Sequence, residues 1–130
     1  MSHPTLRVII ESPYTSPSAT GLIRNRNYLA ACFRDCFERG EAPFAGHALY
    51  TQFLNDRDPA SRKLGMRLSL AWLRRADLVA VYMDFGLSDG MQAGIDAAKL
   101  LGIPVEPRVL GVPFADHPYA DPRPARRRKS

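Results

Sequence analysis

The apolar run DLVAVYM (77–83) constrains the fold of this chain more than any other segment. An apolar run of this length without polar alternation is typical of a strand that is covered on both faces, as in a parallel sheet. Two further candidate strands flank it, LRVIIE (6–11) and IPVEPRV (103–109), and APFAGHALY (42–50) could contain a brief fourth strand followed by a loop. Parallel strands need crossover connections, so helices are expected between them.

Helical patterns occupy the intervening segments where the crossovers are needed. The first helix carries an apolar stripe at 3.6-residue spacing, the second opens on a proline and the third on a serine, and they are expected at 22–39, 59–75 and 88–101. Strands that alternate with helices predict a small doubly wound α/β domain, flavodoxin-like or Rossmann-like, with a parallel sheet flanked by helices. We assign residues 1–110 to this single domain.

The basic charge of the chain is concentrated at its C-terminal end. The formal net charge is +5, and residues 121–130 carry five basic groups and one acid, so this end contributes +4 and the first 120 residues only +1. Residues 111–130 are therefore interpreted as a Pro/Arg-rich extension that is partly disordered. Nucleic acid is an unlikely partner of the domain, apart from weak contact through this extension.

Cys32 and Cys36 are the only cysteines, and their spacing is that of neighbours on one helix face. With no second pair to complete a zinc site, they are expected to be buried, reduced thiols, and no metal or cofactor is predicted. No apolar run is long enough to span a bilayer, and the first residues lack the features of a secretion signal, so a cytoplasmic protein without membrane contact is expected.

Two loops should form the binding edge of such a sheet, because ligands bind beyond the carboxyl ends of parallel strands where the strand order reverses. The loop after residues 6–11, with the start of the first helix, offers hydroxyl, aromatic and basic groups that suit a sugar, phosphate or base: Ser12, Tyr14, Arg24 and Asn27. The same residues also suit a turn with helix-capping side chains.

The second loop follows the long apolar strand and could seat a phosphate or carboxylate. Its glycines allow close backbone approach, and a serine at a helix start stands beside free N–H groups; the candidates are Gly86, Ser88, Asp89, Gly90 and Met91. Ser88 could equally be a plain helix cap. A third loop contributes His47, which could contact a ligand or could be structural or solvent-facing.

Taken together, these segments resemble the nucleoside 2-deoxyribosyltransferase-like proteins, particularly the small members common in phages and prophages. Four stretches carry the resemblance, in order, over roughly residues 6–110: IIESPYTS, RNRNYLAACFRDCFERGEAPFAGHALYTQFLND, RRADLVAVYMDFGLSDGM and AAKLLGIPV. The resemblance implies a flavodoxin-like sheet, a homo-oligomer with sites near subunit interfaces, and nucleoside or nucleotide ligands. Exposed apolar residues such as Phe53 and Trp72 could belong to such an interface.

The family's enzymes cleave or exchange N-glycosidic bonds with a glutamate on the last helix, four residues after the glycine of an S-x-G motif. The motif is present here as Ser88, Asp89 and Gly90, and the implied glutamate position is Gly94. A helical glycine costs about 1 kcal/mol relative to alanine, in exchange for close helix packing or for room for a ligand. The resemblance therefore favours a nucleotide- or nucleoside-binding protein that is catalytically impaired and could sequester a nucleotide or a nucleotide-derived signal.

Two other acids could replace the missing carboxylate. Glu11 and Asp84 lie at the carboxyl ends of predicted strands, could project into the same crevice, and would have a raised pKa if buried there. With either of them the chain would be an active N-glycosidase or deoxyribosyltransferase. Acids at strand ends also commonly cap helices or bind basic side chains, and a protein interaction module is the further alternative.

Overall fold

Four parallel strands form the sheet of the computed structural model, which describes residues 4–55 and 57–111. In chain order the elements are β1 (Arg7–Glu11), α1 (Ala19–Glu38), β2 (Ala42–Phe44), α2 (Gly46–Leu49), α3 (Pro59–Leu73), β3 (Leu78–Tyr82), α4 (Asp89–Leu101) and β4 (Val105–Arg108). The strand order is β2-β1-β3-β4. The predicted doubly wound α/β fold is confirmed, and the strand order reverses between β1 and β3.

Helices cover both faces of the sheet, and the alternation of side chains along the strands decides what each face contacts. On the first face, Val8, Ile10 and Tyr82 pack in one core cluster with α1. On the second face, Val79 and Val81 pack with buried residues of α3 and α4. We call these the α1 face and the α4 face of the sheet.

The observed elements differ from the sequence prediction at two places. The first helix begins at Ala19, because the Ser18 side chain accepts a hydrogen bond from the Gly21 N–H and so caps it three residues early. The segment after β2, predicted as a loop, contains α2 and a 3-10 turn over Tyr50–Gln52. Elements of three or four residues are too short to show a helical period.

Several other predictions concern particular residues. Cys32 and Cys36 are buried and free, as predicted. Phe53 and Trp72 are 77% and 52% exposed. No helix within residues 4–55 and 57–111 is long and apolar enough to cross a membrane. The extension predicted for residues 111–130 lies, beyond Gly111, outside the described residues.

A buried ion pair on the α1 face joins β4 to Glu41, which lies between α1 and β2. Arg108 donates to both carboxylate oxygens of Glu41, at 2.8 and 2.7 Å, and to the Tyr82 hydroxyl at 3.1 Å. The side chains of Arg108 and Glu41 are only 2% and 10% exposed. This pair holds the edge strand β4 to the segment that leads into β2.

Candidate functional site

A cleft of about 710 Å³ opens on the α4 face, at the carboxyl end of β1 and between the sheet, α3 and α4. It lies where the strand order reverses, which is where ligands bind in sheets of this type. Of the sequence candidates, the cleft is lined by Glu11, Ser12, Tyr14, His47, Ser88, Asp89, Gly90 and Met91. The two loops predicted to bind a ligand and the segment that contains His47 therefore meet at one place.

The Glu11 carboxyl lies directly against Gly94 of α4. Glu11 pairs in register with Val81, whose side chain belongs to the α4-face core, so Glu11 projects towards the same helix. A Cβ atom built at position 94 would lie 2.5 Å from the Glu11 carboxyl carbon and 2.9 Å from Oε1. These distances are shorter than Cβ contacts in real proteins, so the carboxyl of Glu11 occupies the space that a side chain at position 94 would take.

Burial in this position favours the neutral form of Glu11. Removal from water raises the pKa of its carboxyl from 4.5 to about 8, because the charged form is the one that loses hydration. At neutral pH the group is mostly protonated. It can therefore donate a hydrogen bond or a proton to a ligand in the cleft.

Asp84 is on the other side of the sheet and does not share the crevice with Glu11. It continues the alternation of Ala80 and Tyr82, which places its side chain on the α1 face. There it accepts a 2.5 Å hydrogen bond from the Tyr28 hydroxyl, and the Leu110 N–H donates to both of its oxygens at 3.1 and 3.2 Å. Asp84 thus links the end of β3 to α1 and to the residues after β4.

His47 contacts both candidates from the first loop. Its Nε2 lies 3.2 Å from Ser12 Oγ, and its ring meets the Tyr14 ring edge-on with centroids 5.6 Å apart. Burial lowers the pKa of His47 to about 4, so the imidazole is neutral at physiological pH. The cleft therefore contains a protonated carboxyl group, from Glu11, and a neutral imidazole, from His47.

The S-D-G motif forms the start of α4 at the mouth of the cleft. Ser88 is the N-cap, and its Oγ accepts a 3.2 Å hydrogen bond from the Met91 N–H. Asp89 and Gly90 form the exposed first turn, and Met91 is buried against the sheet. Gly86 belongs to the turn before the helix, where its φ of 80° favours glycine, and it does not line the cleft.

The two candidates on α1 lie outside the cleft. Arg24 stacks its guanidinium over the Phe85 ring at 4.1 Å and donates to the neighbouring Asn25. Asn27 lies half-buried on the same helix and does not line the cleft. Both belong to α1, whose core contacts are on the opposite face of the sheet from Glu11.

Sequence reasoning missed the wall of the cleft that the end of β2, the 3-10 turn and α3 provide. Phe44 and Tyr50 line it, together with a row of small residues one helical turn apart on α3, Ser61, Gly65 and Ser69. The i, i+4, i+8 spacing of the small residues was the available signal, since it places them on one face of a helix.

Residues 6–108 match the family model of a domain of unknown function, DUF7768. The chain belongs to this family. Comparison with curated proteins gives no match in sequence. Among solved structures, the chain is similar to a 2-deoxyribosyltransferase from the psychrotolerant bacterium Bacillus psychrosaccharolyticus, described as a biocatalyst for the synthesis of antiviral and antitumoral nucleosides. The TM-score is 0.63 at 14% identity, over 79% of this chain and 72% of that one, which shows a shared fold.

Within the described part of the DUF7768 domain, no group of three histidine, cysteine, aspartate or glutamate side chains is placed to hold a metal ion. The titratable and charged side chains that line the cleft are Glu11, Tyr14, His47, Tyr50, Arg62 and Asp89. These side chains can supply hydrogen bonds and proton transfer to a ligand.

Glu11 should make the DUF7768 domain less stable as the pH rises. Its pKa is about 8 in the folded chain and 4.5 ordinarily, so its contribution is complete below 4.5 and lost as the pH rises through 8. In the unfolded chain His47 loses its proton mostly below about pH 7, because its ordinary pKa is 6.5. Between pH 6.5 and 8 Glu11 therefore makes the larger change in stability, about 2 kcal/mol. Glutamine cannot titrate, so the melting temperature of Glu11→Gln minus that of wild type should increase between about pH 6.5 and 8.5. A difference that stays constant over this range in scanning fluorimetry would contradict the burial of an ionisable carboxyl here.

Proposed function

We propose that the cleft binds a nucleoside or nucleotide and hydrolyses its N-glycosidic bond. The observation that carries this proposal is the Glu11 carboxyl, which lies in the cleft against Gly94. Cleavage at an anomeric carbon needs a carboxyl group beside the sugar. The resemblance to deoxyribosyltransferase-like proteins implies position 94 for that group, and this chain supplies a carboxyl to the same space from β1.

Two titratable groups in the cleft have pKa values displaced in opposite directions, which is the pattern of an acid and base pair. The protonated Glu11, with a pKa of about 8, is suited to act as the general acid. His47, with a pKa of about 4, is neutral at physiological pH and so has a free lone pair with which to act as the general base. When Nε2 donates to Ser12 Oγ, Nδ1 keeps its lone pair and can accept a proton.

The reaction then proceeds as an inverting hydrolysis with one water. Glu11 transfers its proton to a nitrogen of the leaving base as the bond between C1′ and that base breaks, and both bonding electrons leave with the base. The water oxygen forms the new bond to C1′, and one of its protons passes to His47. Exchange of the proton between His47 and Glu11 through solvent restores the starting state. The products are the free base and the sugar with a C1′ hydroxyl.

The remaining cleft residues suit the two ends of such a ligand. Apolar side chains of the sheet and of α3, Ile9, Phe44 and Leu70, offer a surface for a flat base. The α4 start, with Ser88 and Gly90, offers polar groups to a 5′-hydroxyl or 5′-phosphate.

Binding without turnover is the second candidate function. Gly94 favours it, because the helix position that carries the carboxylate in the resembled enzymes has no side chain here. A protein of this kind would hold a nucleotide or a nucleotide-derived signal in the same cleft.

A panel of purine and pyrimidine nucleosides and their 5′-monophosphates, in ribo and deoxy forms, separates the two functions. Each compound is incubated with the protein near pH 7, free base is measured by chromatography, and binding is measured by thermal shift. We expect stabilisation by at least one compound and release of its base over hours. Stabilisation without release would assign the second function, and the absence of both would contradict both.

A further inference from the structure

Gly94 lies in the middle of α4 with no backbone reason to be glycine. It is absent from the glycines with positive φ, so any residue could adopt its conformation. The cause must therefore be spatial. The three atoms nearest to a Cβ built there all belong to the Glu11 carboxyl group.

A second helical glycine provides the comparison. A Cβ at Gly65 of α3 would meet Leu54 at 3.5 Å and Tyr50 at 4.0 Å, which are ordinary van der Waals contacts. Position 65 can therefore accept alanine, whereas position 94 can accept it only if Glu11 moves.

We propose that Gly94 is a positioning residue: its missing side chain forms the recess that holds the Glu11 carboxyl in the cleft, and a glutamate carried by position 94 can serve in place of Glu11. The first half of the proposal follows from the overlap between the Glu11 carboxyl and a Cβ at position 94. The second half follows because the backbone of position 94 already lies beside the place where the carboxyl is needed. The effect on reaction rate rests on the proposed function, whereas the effect on Glu11 itself does not.

Gly94→Ala tests the recess directly. The added methyl group should push the carboxyl of Glu11 towards solvent and lower its pKa from about 8 towards 4.5, as followed by carbon-13 NMR of glutamate-labelled protein. Displacement of a reacting group by about 1 Å can cost on the order of 100-fold in rate, and a loss of this order is expected in base release. Gly65→Ala is the matched control for stability: both substitutions gain helix propensity, but only Gly65→Ala should raise the melting temperature by the full gain.

Two double variants test the geometry by recovery. In Glu11→Asp/Gly94→Ala the shorter acid retracts from the new methyl group, so the rate should recover about tenfold relative to Gly94→Ala. In Glu11→Ala/Gly94→Glu the carboxyl is carried by the helix, and the rate should recover by a similar factor relative to Glu11→Ala.

The proposal is overturned if Gly94→Ala keeps both the Glu11 pKa and the wild-type rate. It is also overturned if neither folded double variant recovers activity over its single parent. If no nucleoside or nucleotide is hydrolysed by any variant, the proposed function fails, and the pKa of Glu11 in Gly94→Ala alone decides the recess.

Discussion

Glu11→Gln is expected to slow release of the base on the order of 1000-fold while leaving nucleoside affinity within about threefold of wild type. Glutamine keeps the size of the side chain and still fits beside Gly94, but it has no acidic proton to give to the leaving base. The loss should therefore be in kcat, because the proton transfer is made only in the transition state.

The pH dependence identifies the role of the carboxyl. A general acid must be protonated, so the wild-type rate should be constant below the Glu11 pKa of about 8 and fall above it. The fall on the acid side should come only near pH 4, where His47 takes up a proton. In Glu11→Gln the residual rate should not fall above pH 8. If Glu11 were instead the nucleophile, the wild-type rate would rise towards pH 8, because the ionised form would then be the reactive one.

Glu38→Gln is the matched control, since it makes the same chemical change on an exposed position of α1. Its rate should equal that of the wild type. A Glu11→Gln protein that releases base at the wild-type rate would show that the cleft uses another group, and the proposed chemistry would be wrong.

The fold could be predicted from the sequence because its helices and strands have different hydrophobic patterns. The continuous apolar run at 77–83, the three amphipathic segments and the serine and proline that open two of the helices are consistent with one another. The short α2 and the 3-10 turn were missed, and with them part of the cleft wall.

The site could be predicted only in part, because the side chains of the two candidate acids project from opposite faces of the sheet. Glu11 and Asp84 both lie at carboxyl ends of strands, but a shift of one residue moves a side chain to the other face of the sheet. The relative alternation of β1 and β3 depends on their pairing register, Glu11 with Val81, which the sequence does not show. The sequence shows that position 94 lacks the carboxylate of the resembled enzymes. Only the structure shows that the Glu11 carboxyl occupies the space where a side chain at position 94 would lie.

The second large effect expected is on stability, at Arg108. Arg108→Met should lower the free energy of unfolding by about 3–5 kcal/mol, because it leaves the Glu41 carboxylate buried without its partner. The guanidinium holds both oxygens of Glu41 and also the Tyr82 hydroxyl, so methionine replaces the packing of the side chain but none of these hydrogen bonds. Urea unfolding followed by circular dichroism measures the change.

A double variant and a control at an exposed ion pair test whether burial of the unpaired Glu41 carboxylate causes the loss of stability. Arg108→Met/Glu41→Leu removes both buried charges and should be more stable than Arg108→Met alone, since the one carboxylate that still lacks Arg108, that of Glu106, is exposed. The exposed pair of Arg7 and Asp77 is the control, and Arg7→Met should change stability far less.

Arg108 lowers the pKa of Glu41 mainly through the hydrogen bonds between the two side chains, so the stability they contribute is lost as the pH falls through that lowered pKa. Arg108→Met should therefore flatten the acid side of the stability profile, and an unchanged profile would mean that the pair contributes through packing alone.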